Sequence, residues 1–228
     1  ALTFKPDFAE AHSNLGLALQ KQGKLNGAIA HYNKALSIKP DYAEAYNNLG
    51  LALQEQGKLD EAIDSYHKAL ALKPDYPKAR SNLLFTLSFY SKCLPDAYLA
   101  EAQHYGNKVM AKIQPYKSWP VYPANTAEQD MQPLRVGLVS VDFRTHPVGF
   151  FLEGVLANLN PARIELVAYS MSPQEDELTA RIRPCFVAWN IIVGLNDEAA
   201  ARKIHDDGLH ILIDLKGHND NNRLPMFA

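Results

Sequence analysis

The chain has 228 residues, enough for one large domain or two small ones at the usual size of about 100–200 residues each. Hydrophobic residues make up 47% and charged residues 21%, which excludes a disordered, collagenous or disulfide-stapled chain. With 23 Lys and Arg against 25 Asp and Glu, the net charge of -2 gives no field to gather nucleic acid or anionic lipid, so neither is expected as a partner.

The N-terminal half is repetitive. Phe8 to Asp41 and Tyr42 to Asp75 align without a gap at a period of 34, with 23 identical positions. The opening residues ALTFKPD match the unit endings ALSIKPD and ALALKPD at the same period, so an earlier unit, and a natural protein that starts upstream, are expected. Apolar residues fall at helical spacing at Ala45, Leu49 and Leu53, and again at Ala62, Ile63, Tyr66 and Leu70, with Gly57 between the runs. Each unit therefore reads as a helical hairpin. Gly50, Ala62 and Ala69 stand where two helices must approach closely, and Pro74 closes the second helix. The period and these positions resemble the tetratricopeptide repeat. A third unit begins at Tyr76 and loses register near Tyr90, and Ser91 to Met110 reads as further helix covering the end of the stack.

From residue 114 to 132 the text becomes proline-rich and polar, a connector whose Tyr116, Trp119 and Tyr122 argue that it lies against a surface. Strand and helix patterns then alternate. The strands are expected at Leu134–Phe143, Ile164–Tyr169, near Val187–Val193 and at Leu209–Leu215. The helices are expected at Val148–Leu159, around Asp176–Arg183 and at Asp197–Asp206. Such alternation implies right-handed crossovers and a parallel sheet. The expected architecture is an α-solenoid over residues 1–113, a connector over 114–132 and a Rossmann-like α/β lobe over 133–228.

In an open parallel sheet, ligands meet the carboxyl ends of the strands. Two loops there carry candidate chemistry: Asp142 to Pro147 with His146, and Lys216 to Arg223 with Gly217, His218 and Asn222. Histidine exchanges protons near neutral pH, so His146 and His218 can act in a site, or can simply cap helices and satisfy loop backbone. Asp214 ends the last strand and reads as an anchor for its loop first, with an active-site carboxylate as the other reading. No GxGxxG, Walker, GxSxG or HExxH sequence occurs. The spacing of His205 and His210 does not put two ligands on one helix face, so no metal is expected. His12, His31, His67 and His104 read as surface residues. Cys93 and Cys185 lack CxxC spacing and fit a reducing compartment, and no apolar run reaches the roughly 20 residues that span a bilayer, so a cytoplasmic protein is expected. Asn14, Asn48 and Asn82 recur at the 34-residue period on the first helix of successive units. Such a column can hydrogen-bond both the N–H and the C=O of an extended peptide, or serve helix packing.

Helical repeats followed by LRVGLVSVDFRTHPVGFFLE, by ELVAYS at Glu165 to Ser170, and by DGLHILIDLKGH ending at His218 resemble the O-linked N-acetylglucosamine transferases and SPINDLY-type relatives, glycosyltransferase family 41. The resemblance implies a two-lobed GT-B catalytic region and inverting transfer of a sugar from a nucleotide-sugar, UDP-N-acetylglucosamine first, to Ser or Thr of proteins held by the solenoid. It implies no cofactor and no metal. It implies His146 as a catalytic residue, considered a general base, and Asp142, Gly217, His218 and Asn222 at the substrate cleft. Asn14, Asn48 and Asn82 would bind acceptor peptide. The chain departs from the family where His218 is followed by Asn219 in place of the usual threonine. The lobe that holds uridine and diphosphate is not among these residues, so the 228-residue chain is expected to be a piece of the enzyme and inactive alone. The alternatives are a protein-binding scaffold with a non-catalytic α/β cap, and an O-fucosyltransferase.

Overall fold

A computed structural model describes residues 8–118, 120, 133–218 and 223–227. The chain divides into two compact units. One runs to Lys112 and takes in His218, and the other covers Ile113–Gly217 and the C-terminal stretch.

The first unit is a stack of helical hairpins: α1 (Ala9–Lys21) with α2 (Leu25–Ile38), α3 (Ala43–Glu55) with α4 (Leu59–Leu72), and α5 (Pro77–Phe89) with α6 (Pro95–Met110). Glycine makes the hairpins close. A Cβ on Gly16 or Gly50 would lie 2.7 Å from the ring of Tyr32 or Tyr66, each fully buried in the paired helix. Those rings are held at their far ends, where Tyr32 donates to Gln20 at 2.8 Å and Tyr66 to Gln54 at 3.1 Å. Burial pushes the Tyr32 hydroxyl up to about 12 and that of Tyr66 further. Gly23 and Gly57 turn between helices at φ +73° and +76°, a region L side chains rarely adopt. The closing helix α6 starts at Pro95, four residues after the expected Ser91. Leu94 is extended before the proline, and proline suits a first helical turn.

The second unit is a four-stranded parallel sheet of order β3-β2-β1-β4, with β1 at Leu134–Ser140, β2 at Ile164–Ser170, β3 at Ala188–Ile191 and β4 at Ile211–Asp214. Helices α7 (Pro147–Leu156), α8 (Glu177–Ile182) and α9 (Asp197–Asp206) cross between them. The pleat sends alternate residues to opposite faces. Val136, Leu138, Leu166 and Ala168 pack with Leu152, Leu156, Leu178 and Ile182 on one side, and Val139, Val167 and Tyr169 pack with Ala200 and Ile204 on the other. Arg223 fastens the last stretch to the sheet unit, donating to Asp197 and to the carbonyls of Ile192 and Leu195. The solenoid plus Rossmann-like lobe read from the sequence is the observed architecture. No described helix is long and apolar enough to cross a membrane.

Candidate functional site

The strand order reverses between β1 and β4, so the crevice outside their carboxyl ends is the switch point where a doubly wound sheet binds ligands. Val139 is in register with Asp214, which brings the loop after β1 beside the loop after β4. The strand β1 stops at Ser140, short of the expected Phe143, because the chain turns on a side chain: Asp142 N–H donates to Ser140 Oγ at 3.0 Å. Asp142 is thereby placed with its side chain 7% exposed. Three cationic or proton-binding groups surround its carboxylate. Lys216 Nζ and His146 Nδ1 lie 3.6 and 3.8 Å from Oδ2, and Arg144 Nη2 lies 3.8 Å from Oδ1.

His146 is extended and caps α7, with Val148 N–H donating to its Nδ1 at 3.2 Å. The neutral ring therefore carries its proton on Nε2. Of the two roles left open by the sequence, helix capping is present, and the ring remains 40% exposed at the sheet edge. Gly149 lets α7 start this close, since any Cβ there would collide with the Arg144 carbonyl oxygen. The loop is tied to α8 as well. Thr145 N–H donates to Asp176 Oδ2 at 2.7 Å, while Asp176 caps α8 through Thr179. These backbone donors, Thr145 first, hold the Asp176 carboxyl well below the usual carboxylate range.

Asp214 anchors its loop, accepting the N–H groups of Lys216 at 3.0 Å and Gly217 at 2.6 Å, with Gly217 at φ +59°. His218 belongs to the helical unit, where its Nδ1 is 3.0 Å from Ser81 Oγ and its ring meets Tyr105 edge-on at 4.9 Å. Asn222 lies outside the described residues. Asn14 is exposed, and Asn48 and Asn82 are half-buried. Asn82 Nδ2 donates to Asn47 Oδ1 at 2.9 Å, and Asn47 Nδ2 to Asn48 Oδ1 at 3.3 Å. That chain of bonds serves packing. It also leaves Asn48 Nδ2 and Asn82 Oδ1 without a bond to any described residue, one donor and one acceptor for a backbone. Asn47, fully buried, and Lys216 were not singled out from the sequence. Asn47 had a signal, since Ser13 and Ser81 hold the same place at the 34-residue period.

His12 and His31, expected at the surface, are half-buried and meet each other with Nδ1 atoms 2.9 Å apart, and His205 and His210 are engaged elsewhere. His205 Nε2 meets the Ser118 carbonyl at 2.7 Å and stacks on Tyr116 at 4.0 Å, so the connector's Tyr116 does lie against a surface. The carbonyl raises the affinity of His205 for its proton. His210 Nδ1 instead accepts Arg135 N–H at 3.0 Å, and no cluster of three metal-ligating residues occurs among the described residues.

The sequence profile of glycosyl transferase family 41 matches residues 90–228, and tetratricopeptide repeat profiles match 19–57 and 43–76. The chain belongs to glycosyl transferase family 41. It is 34% identical over 149 residues to the probable UDP-N-acetylglucosamine–peptide N-acetylglucosaminyltransferase SPINDLY of Petunia hybrida, a match covering 64% of this chain and 16% of that protein. It is 30% identical over 96 residues to the SEC protein of Arabidopsis thaliana described by the same activity, covering 42% of this chain and 10% of that one. Among solved structures, a mutant O-GlcNAc transferase of Thermobaculum terrenum matches with a TM-score of 0.82 and 33% identity, over 99% of this chain and 42% of its own. The chain thus spans under half the length of these family 41 relatives.

Proposed function

We propose that the protein carrying this chain transfers N-acetylglucosamine from UDP-N-acetylglucosamine, with inversion, to Ser or Thr hydroxyls of protein segments lying along the helical repeats. The observation that carries this reading is the half-exposed His146 ring at the switch point of the sheet, backed by the buried carboxylate of Asp142. The names of the family 41 relatives support the donor, and the open Asn48 Nδ2 and Asn82 Oδ1, together with Asn14, support an extended acceptor. His146 would take the acceptor proton on Nε2 as the hydroxyl oxygen bonds to the anomeric carbon and the nucleoside diphosphate leaves. In its capping state Nε2 already carries a proton. The ring must first move that proton to Nδ1, releasing Val148 and turning Nδ1–H toward Asp142. General-base assistance of this kind contributes about 100- to 10,000-fold. The resemblance also carries Gly217, His218 and Asn222 as substrate-binding residues. Donor binding and leaving-group stabilisation fall to the lobe expected outside these 228 residues, with no resident cofactor or metal, and the cytoplasm is the expected compartment.

The test is labelling of whole-lysate proteins with UDP-N-acetylglucosamine and GDP-fucose, using both the 228-residue chain and a longer protein containing it. The expected result is incorporation from UDP-N-acetylglucosamine by the longer protein and none by the 228 residues alone. Incorporation only from GDP-fucose would replace the donor. None from either would leave a protein-binding scaffold, and transfer by the 228 residues would overturn their expected inactivity.

A further inference from the structure

We infer that Lys216 is a positioning residue that sets which ring nitrogen of His146 carries the proton, by competing with the ring for one oxygen of Asp142. This deepens the catalytic reading above and rests on it for its consequence in turnover, while the coupling itself stands on the geometry.

Lys216 Nζ and His146 Nδ1 face the same Oδ2, at 3.6 and 3.8 Å, and neither is within hydrogen-bond distance. The Lys216 side chain is 14% exposed and that of Asp142 7%, so solvent screens their charges poorly. The ring has two neutral states. In the capping state Nδ1 takes the Val148 N–H and the proton sits on Nε2, which can then donate but not accept. In the other, Nδ1–H donates to Asp142 and Nε2 presents a lone pair. An ammonium drawing on Oδ2 weakens it as an acceptor for Nδ1–H. Lys216 therefore favours the capping state. The other charged groups around the ring are Arg144 on Oδ1, Asp176 on the N–H of Thr145, and Asp214, whose oxygens take the N–H groups of Lys216 and Gly217. None of these bonds uses the Lys216 side chain. Asp214 shapes the loop through backbone groups alone, so a neutral residue at 216 leaves that anchor in place.

The test is 15N NMR of the chain's neutral imidazoles, with His146 assigned by its loss in His146→Asn. In the unaltered chain the neutral ring should show its proton on Nε2. In Lys216→Met the population should move toward Nδ1–H. Lys216→Arg, which keeps the charge, should stay near the unaltered chain. An unchanged tautomer in folded Lys216→Met, or equal changes in the Met and Arg variants, would overturn the inference. Turnover that survives His146→Asn would remove the catalytic reading while the NMR result still decides the coupling.

Discussion

His146 caps α7, and one substitution can separate that cap from the proposed proton transfer. Asparagine caps helices well, so His146→Asn should keep α7 and its thermal stability, whereas alanine loses about 0.5–2 kcal/mol with the cap. Both should reduce transfer by the longer enzyme about 100-fold or more. The check is Tm beside kcat for the two variants, and full activity in His146→Asn would end the proton-transfer role. Asp176 gives the residue-scale pH dependence. Its folded carboxyl titrates below its unfolded value, so its stabilisation is complete above about pH 4 and is lost as pH falls through the folded value. Asp176→Asn should lower Tm at pH 7, and the gap from the unaltered protein should narrow toward pH 3. A constant gap would show that the carboxylate is not the source. The sequence made His146 visible because a histidine follows an apolar strand. It hid Lys216, since a lysine after a strand reads as solvated, and its meeting with Asp142 is created only when β1 and β4 pair.

At the scale of elements, helix boundaries were legible where their caps are local. The helix α9 spans Asp197–Asp206 as read, because Asn196 accepts the Ala199 N–H and Ala200 and Ile204 face the core. Strand ends were less so: β4 pairs over Ile211–Asp214, in register with Val136–Val139, and beyond it Leu215 adds only its N–H to the Val139 carbonyl. Glycine provides the element-scale prediction. Gly50→Ala drives a methyl into the buried Tyr66 ring and should cost about 1–3 kcal/mol. Gly106→Ala in α6 meets nothing within 4 Å and should stabilise by about 0.5–1 kcal/mol. Opposite signs in denaturant midpoints are the expected outcome, and a stabilising Gly50→Ala would contradict the packing described.

For the whole molecule, the solenoid and the lobe were both readable because each announces itself by a period: 34 residues in one, strand–helix alternation in the other. The bonding state of the asparagine column was not readable, since it depends on Asn47 bridging two units across the stack. Replacing Asn14, Asn48 and Asn82 together should raise KM for protein acceptors about tenfold or more, if two or three backbone hydrogen bonds of about 0.5–1.5 kcal/mol are lost. Hydrolysis of the donor by the longer enzyme should change little. Equal losses in both would assign the column to helix packing alone.

The glycine–tyrosine contact also bears on how such a chain can vary in length. Gly16 against Tyr32 and Gly50 against Tyr66 are the same joint made twice, and the ion pairs Lys39–Glu10 and Lys73–Glu44 repeat with it. A gene segment coding one joint can recombine out of phase with its neighbour and deliver a chain longer or shorter by 34 residues whose every new junction is one that already fits. The length of the stack can therefore be adjusted in whole steps of one joint.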